Sequence, residues 1–379
     1  MGAMRYYIGY YNCDKTRNEN RIVSPAAESK MNYIISALSD ATDEEFEVVS
    51  PAETRESKLV RGRKFNLGDK AVLKTFTSFS SKNKLIRVLG HFVTKLYVFL
   101  YLIKNVHSDD HLIVYHSLLL MSLIKFVKKL KKCRLTIEVE ELYSDVTEDE
   151  QLREKEINYL QIADSYVFIT ELLKNQVNTE KPSIISHGTY KPVQESGYRF
   201  GDDKIHVVYA GTFSQAKGGV QVAISAAEYL DDNYVLEILG RGSQADTLEV
   251  EKKIEEVSDK TKCRVNYVGL KTGDDFESYI QACHIGLSTQ QADAKFGATS
   301  FPSKILMYMS NGLRVVSVRI PAVENSLVGE HIYYYDTQDA EEIAQVIKSV
   351  KFDDEYDSRK ILEELHKNFV VQLKSLLHR

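Results

Sequence analysis

Cysteine is scarce in this chain and scattered. Cys13, Cys133, Cys263 and Cys283 show no C-x-x-C spacing, so neither a disulfide framework nor a zinc site is indicated, and the thiols read as reduced and inert. Long apolar runs are missing too. The longest, residues 96–103, falls well short of the ~20 residues a membrane span needs, and no charged-then-apolar leader precedes a cleavage site. The expectation is a cytoplasmic protein. No Asp-x-Asp pair is present, so the sequence calls for no metal and for no cofactor. Low-complexity segments and repeats of solenoid period are also lacking, so the whole chain should fold.

What is present fits two domains. The chain has 379 residues, 43% hydrophobic and 27% charged, which is too long for one ordinary core and suits two domains of roughly 150–200 residues. Its net charge of −5 hides an asymmetry: residues 51–134 hold 18 Lys and Arg against 5 Asp and Glu, leaving the remainder strongly acidic. One reading is a set of solvated helix faces; the other is a surface that meets anionic lipid, at the inner face of a membrane, or a polyanionic acceptor. Nucleic acid fits less well, because the segment carries no recognisable binding module.

Along the chain, short runs of β-branched and aromatic residues alternate with helical patterns, as in βαβ units with a parallel sheet. Strands are expected at 5–11, 46–50, 72–76, 112–116, 134–139, 165–169 and 183–186, with helices near 25–38, 82–105, 118–131, 148–162 and 170–177. The hydrophilic stretch 190–204 reads as a linker. The alternation then restarts, with strands at 205–210, 235–239, 264–268, 284–288, 314–318 and 332–335. Residues 356–379 are helical by pattern and can pack back across the linker. The organisation expected is an α/β chain of two Rossmann-like doubly wound domains, 4–189 and 205–355, facing a central cleft.

Ligands of such folds bind at the carboxyl ends of strands, where helix N-termini offer unpaired N–H groups to phosphate. In the second domain the first such turn contains Gly211, Thr212 and Lys217, and the next contains Gly240 and Arg241. Glycines permit close approach of a ligand, and a lysine supplies a point charge for a diphosphate. A third turn, Thr299-Ser300-Phe301-Pro302-Ser303-Lys304, opens a helix that ends at Gly312. Each glycine turn also has a plain reading as tight packing.

The order AGTFSQAKGG, LEILGRGS, FPSKILMYMSNGLRVVSV and PAVENS resembles the donor domain of GT-B glycosyltransferases, particularly glycosyltransferase family four and its relatives. Element order is similar over nearly the whole chain, motif detail only in the second domain. The resemblance implies that Gly211 and Thr212 lie against the donor phosphates and that Lys217 neutralises them. It also implies that Gly240 and Arg241 flank the nucleotide and that Pro302, Ser303 and Lys304 open a helix facing the donor. The family commonly has two glutamates eight positions apart around this helix; here those positions hold Thr299 and Met307. Asp293 or Glu324 are candidates to compensate.

The first domain is expected to contact the acceptor. Arg21 and Ser24, after its first strand, lie where relatives have a Gly-rich loop. The strand at 134–139 runs into Glu140 and Glu141, and clustered carboxylates tend to raise a pKa, which suits a general base. By resemblance Glu140 stands where many relatives carry a histidine. The plain reading is an acidic turn capping the helix near 148. His116 and His187 also end strands and point toward the expected cleft, or are structural histidines.

The activity this reading implies is hexosyl transfer, independent of metal, from a nucleotide sugar, expected to be UDP-linked, to a glycan, lipid-linked or protein-linked acceptor in surface polysaccharide or glycoconjugate synthesis. A nucleotide-sugar epimerase and a catalytically inactive binding subunit remain as alternatives, and a homo-oligomer is left open.

Overall fold

The computed structural model describes residues 3–214, 219–290, 300–352 and 356–378. The chain forms two compact units, Met1–Thr189 with Lys367–Arg379, and Tyr190–His366. The first contains strands β1 (Arg5–Ile8), β2 (Phe46–Ser50), β3 (Lys64–Asn66), β4 (Ala71–Thr75), β5 (His111–Tyr115), β6 (Arg134–Val139), β7 (Ser165–Phe168) and β8 (Ser183–Ile185). They form one sheet in the order β3-β4-β2-β1-β5-β6-β7-β8, parallel except at the β3–β4 hairpin. A parallel sheet is covered on both faces. Every residue of β1 and β2 is accordingly buried.

Helices α1 (Pro25–Ala41), α2 (Lys84–Asn105), α3 (Met121–Lys131), α4 (Tyr143–Thr147), α5 (Glu150–Leu160) and α6 (Glu171–Val177) lie between the strands in sequence. The single helix expected near 148–162 is two. Glu148 takes a left-handed φ of 54° that ends α4, and the Asp149 carboxylate accepts from Gln151 N and Leu152 N to start α5. Asp149, not the acids at 140 and 141, therefore caps this helix. β3 escaped notice because it is a three-residue edge strand with exposed side chains and no buried face to pattern it.

Run length also undersold α2. It is long and apolar enough in composition for a membrane span, although Gly90, His91, Thr94 and Lys95 break its apolar runs.

The second unit holds β9 (Ile205–Thr212), β10 (Tyr234–Arg241), β11 (Arg264–Gly269), β12 (Ile285–Ser288), β13 (Arg314–Val318) and β14 (Ile332–Tyr335). All six are parallel, in the order β11-β10-β9-β12-β13-β14. Its helices are α7 (Gly219–Ala226), α8 (Gln244–Ser258), α9 (Gly273–Ala282), α10 (Ser303–Ser310), α11 (Pro321–Glu324) and α12 (Ala340–Ser349). The last helix, α13 (Ser358–His378), is divided between the units at Lys367. Residues 190–204 have no regular structure but are bound along the second unit: Val193 N donates to Ser310 O at 2.9 Å, and Ser196 N to Gln281 Oε1 at 2.8 Å.

Near the N-terminal ends of this sheet, His206 Nδ1 lies 2.8 Å from Glu237 Oε1 and Nε2 lies 2.8 Å from Asp202 Oδ1, with Phe200 stacked on the ring at 3.7 Å. Burial disfavours the imidazolium, but the bonds to Glu237 and Asp202 outweigh it and the pKa is raised. A raised histidine pKa contributes stability that is complete below the unfolded value of about 6.5 and is lost as pH rises through the folded value. The second unit should therefore melt lower as pH rises from 6 toward 9, and His206→Gln should flatten that slope. Parallel melting profiles for parent and variant would show that His206 stays neutral throughout.

Candidate active site

In a doubly wound sheet the ligand crevice lies beyond the carboxyl ends of the strands, where strand order reverses. In the second unit that point falls between β9 and β12. There Gly211 on β9 stands in register with Gly240 on β10. Gly240 has a φ of +130°, and a Cβ on it would lie 1.8 Å from Gly211 O, so only glycine fits. A Cβ on Gly211 would meet Lys304 Nζ at 2.7 Å. The ammonium of Lys304, on the first turn of α10, thus lies against the end of β9, with Tyr209 beneath it at 3.9 Å from the ring centroid.

Tyr308 fixes the placement of α10. Its hydroxyl accepts from Ala210 N at 2.9 Å and donates to Leu287 O at 3.2 Å, tying the helix to β9 and β12. The result is a positive charge, a helix N-terminus at Pro302 and Ser303, and two bare backbone segments, a combination suited to an anionic diphosphate.

Thr212 and Arg241 are exposed beside these glycines, Ser303 is exposed, and Ser300 and Pro302 are half-buried. Lys217, Asp293 and Thr299 lie outside the described residues. Met307 is half-buried on α10, and Glu324 is paired with Arg319 at 2.8 Å.

In the first unit the reversal falls between β1 and β5. Lys30, on α1, donates to Ser186 O at 2.5 Å and to Ser186 Oγ at 2.9 Å, just past β8. The same Nζ stands 3.3 Å from Glu140 Oε1, an ion-pair distance without hydrogen-bond alignment. Glu138, two residues back and therefore on the same side of β6, is fully buried and accepts from Tyr7 Oη at 2.7 Å.

These two carboxyls form a dyad. Burial, and then the charge of Glu140, push Glu138 up to about 8; burial raises Glu140 as well, although Lys30 opposes it. Glu140 keeps 17% side-chain exposure while Glu138 has none, so Glu140 is the member open to solvent. Glu141 is exposed, and its pKa is raised by partial burial and by Glu140.

Other candidates have evident structural partners. The His116 ring is buried, with Nε2 2.7 Å from Glu156 Oε1 and Tyr159 stacked at 5.8 Å. Glu156 also accepts from Tyr143 N and Ser144 N, so His116 holds the start of α4 through it. Arg21 is buried, bonded to Glu19 Oε2 at 2.6 Å and to the carbonyls of Ala52 and Phe76, tying the turn after β1 to the segments after β2 and β4. Ser24 is exposed at the N-terminus of α1 and makes no side-chain cap. His187 donates Nδ1–H to Ile169 O at 2.7 Å; burial lowers its pKa to about 4, so its ring is neutral at pH 7.

Sequence reasoning missed Lys30, Tyr7 and Glu138. The one signal was Glu138 flanked by Ile137 and Val139 inside a strand, a position that must be buried if the sheet is covered on both faces.

Residues 204–351 match the family model of the glycosyl transferases group 1. Solved structures of similar fold span the whole chain. The α,α-trehalose 6-phosphate synthase of Burkholderia multivorans is 11% identical with a TM-score of 0.65, covering 99% of each chain. The E. coli trehalose-6-phosphate structure bound with UDP-2-fluoro glucose is 11% identical with a TM-score of 0.62, covering 98% of this chain and 99% of the other. HepE of Anabaena in complex with UDP is 10% identical with a TM-score of 0.63, covering 99% and 98%. No curated protein matches in sequence. The whole chain thus has the GT-B fold, and its match to the glycosyl transferases group 1 lies within the second unit.

Proposed function

We propose that the chain transfers a hexose from a UDP-sugar to a hydroxyl of a glycan, lipid-linked or protein-linked acceptor, in the synthesis of a surface polysaccharide or glycoconjugate. The observation that carries this reading is the Gly211–Gly240 pair facing the Lys304 ammonium at the carboxyl ends of β9 and β10. UDP in the similar E. coli and Anabaena structures supports the choice of nucleotide, and the motif order in 205–318 supports a relation to glycosyltransferase family four. In the transfer, Glu140 takes the proton of the acceptor hydroxyl, the acceptor oxygen bonds to the anomeric carbon, and the bond from that carbon to the diphosphate breaks, releasing UDP. Lys304 and the N–H groups at the start of α10 stabilise the charge on the departing diphosphate.

Lys304→Ala should weaken UDP binding by about tenfold or more, the scale of one charge-assisted contact, with little change in melting temperature. Titration calorimetry with UDP and a panel of UDP-sugars checks this. Unchanged affinity would remove the β9–α10 turn from the site.

Met307, where relatives carry an acid, favours one second reading, a subunit that binds donor or acceptor without transfer. UDP release from a UDP-sugar, measured with and without acceptors, separates the two, because an inactive subunit releases none.

A further inference from the structure

Helix α2 is apolar on two opposite faces. Gly90, Thr94, Val98 and Leu102, four residues apart, are buried in the first unit. Leu85, Leu89, Phe92, Leu96 and Leu100 form a second stripe at helical spacing, about 180° away around the axis at 100° per residue. That stripe is exposed over four turns, Leu85 at 79% and Phe92 at 64%. A lone exposed leucine is ordinary, whereas a continuous stripe of this length marks an interaction surface. Helix α3 extends it: Phe126 packs on Phe99 at 5.6 Å between centroids, and Phe126 and Leu130 are themselves half exposed.

The charge that α2 and α3 themselves carry has one sign, and the acids that pair with them, Glu53 at His91 and Asp164 at Lys128, come from other elements. No Asp or Glu occurs between Asp69 and Asp109, nor between Asp110 and Glu138. Lys82, Lys84 and Arg87 are exposed at the start of α2, and Lys125, Lys129 and Lys132 on or just after α3. Apolar side chains flanked by cations match the boundary of an anionic bilayer, where lysines meet headgroups and the apolar stripe enters the acyl region.

We propose that α2 and α3 seat the first unit on an anionic lipid surface, with α2 lying in the headgroup plane. Its length and composition would also suit a span, but a span would strip Val98 and Leu102 from the unit's core. The proposal is independent of the sugar-transfer reading, since it uses none of those residues.

The chain has no tryptophan, so Leu89→Trp supplies a single reporter. On vesicles of phosphatidylcholine with phosphatidylglycerol its emission should shift to the blue, and the full chain should co-sediment with them but not with phosphatidylcholine alone. Phe92→Glu with Leu96→Glu should weaken partitioning at least tenfold with an unchanged melting temperature. Replacing Lys125, Lys129 and Lys132 by Glu should weaken it chiefly at low salt, where the Debye length is long. Equal recovery on neutral and anionic vesicles would overturn the proposal. So would parent-like binding by the Phe92/Leu96 variant, or a solution dimer that this variant dissociates, which would make a second copy the occupant.

Discussion

Glu140→Gln is expected to lower turnover by ~10²–10⁴-fold, the usual contribution of a positioned general base, while UDP-sugar affinity stays at the parent level. Glutamine preserves shape and the contact with Lys30 but cannot accept a proton. The dyad geometry sharpens the expectation. Burial and the charge of Glu140 push Glu138 up to about 8, and the Lys30 ammonium favours the pair's negative charge on Glu140. A base must be ionised, and burial raises the Glu140 pKa. Activity should therefore fall as pH drops through that raised value, and Glu138→Gln should move this acid limb more than it lowers the plateau. Initial rates across pH with saturating donor read both effects. Turnover within a few-fold of the parent for Glu140→Gln, for Glu141→Gln and for the double variant would confine these acids to holding Lys30 and the strand ends together.

Gly240→Ala should have the largest effect on the second unit. The residue's φ of +130° is strained for any side chain, and the added carbon would lie 1.8 Å from Gly211 O, a backbone atom that cannot swing aside. The combined cost is on the order of 3 kcal/mol or more, above that of most single substitutions. Because relief requires β9 and β10 to separate at their carboxyl ends, UDP affinity should fall together with stability. Gly201→Ala is the control: its added carbon meets nothing within 4 Å, and a surface change of that kind stays within about 0.5 kcal/mol. Scanning calorimetry with and without UDP provides the readout. A Gly240→Ala chain that melts and binds like the parent would show that this glycine turn is not rigid.

Much of the architecture was legible because a parallel sheet imposes it locally. Strands covered on both faces are rich in β-branched and aromatic residues, and 46–50, 134–139, 314–318 and 332–335 read as strands to the residue. The glycines at the ends of β9 and β10 were legible for a similar reason, since a positive φ at Gly240 and a close backbone approach leave little choice of residue.

The chemistry in the first unit was less visible. Glu138 stood in plain view inside a strand, yet its hydrogen-bond partner Tyr7 is 131 positions away and Lys30 is 110 positions from its ion-pair partner Glu140, and no spacing rule reaches that far. His116 and Glu156 are likewise 40 positions apart, so a histidine at a strand end could not be told from one locked in the core. Charge counting found the basic segment but not its apolar companion, because the two faces of α2 together look like one ordinary hydrophobic helix until burial separates them.

The sequence by itself determined two largely parallel sheets with alternating helices, the glycines at the strand ends of the second, and where basic charge concentrates, since each depends on neighbours a few residues apart. Tertiary structure alone decided which carboxylate is buried and which is reached, which cation faces Gly211, and which face of α2 stays uncovered. Burial and pKa belong to the assembled surroundings of an atom, and those surroundings are supplied by segments distant in the chain.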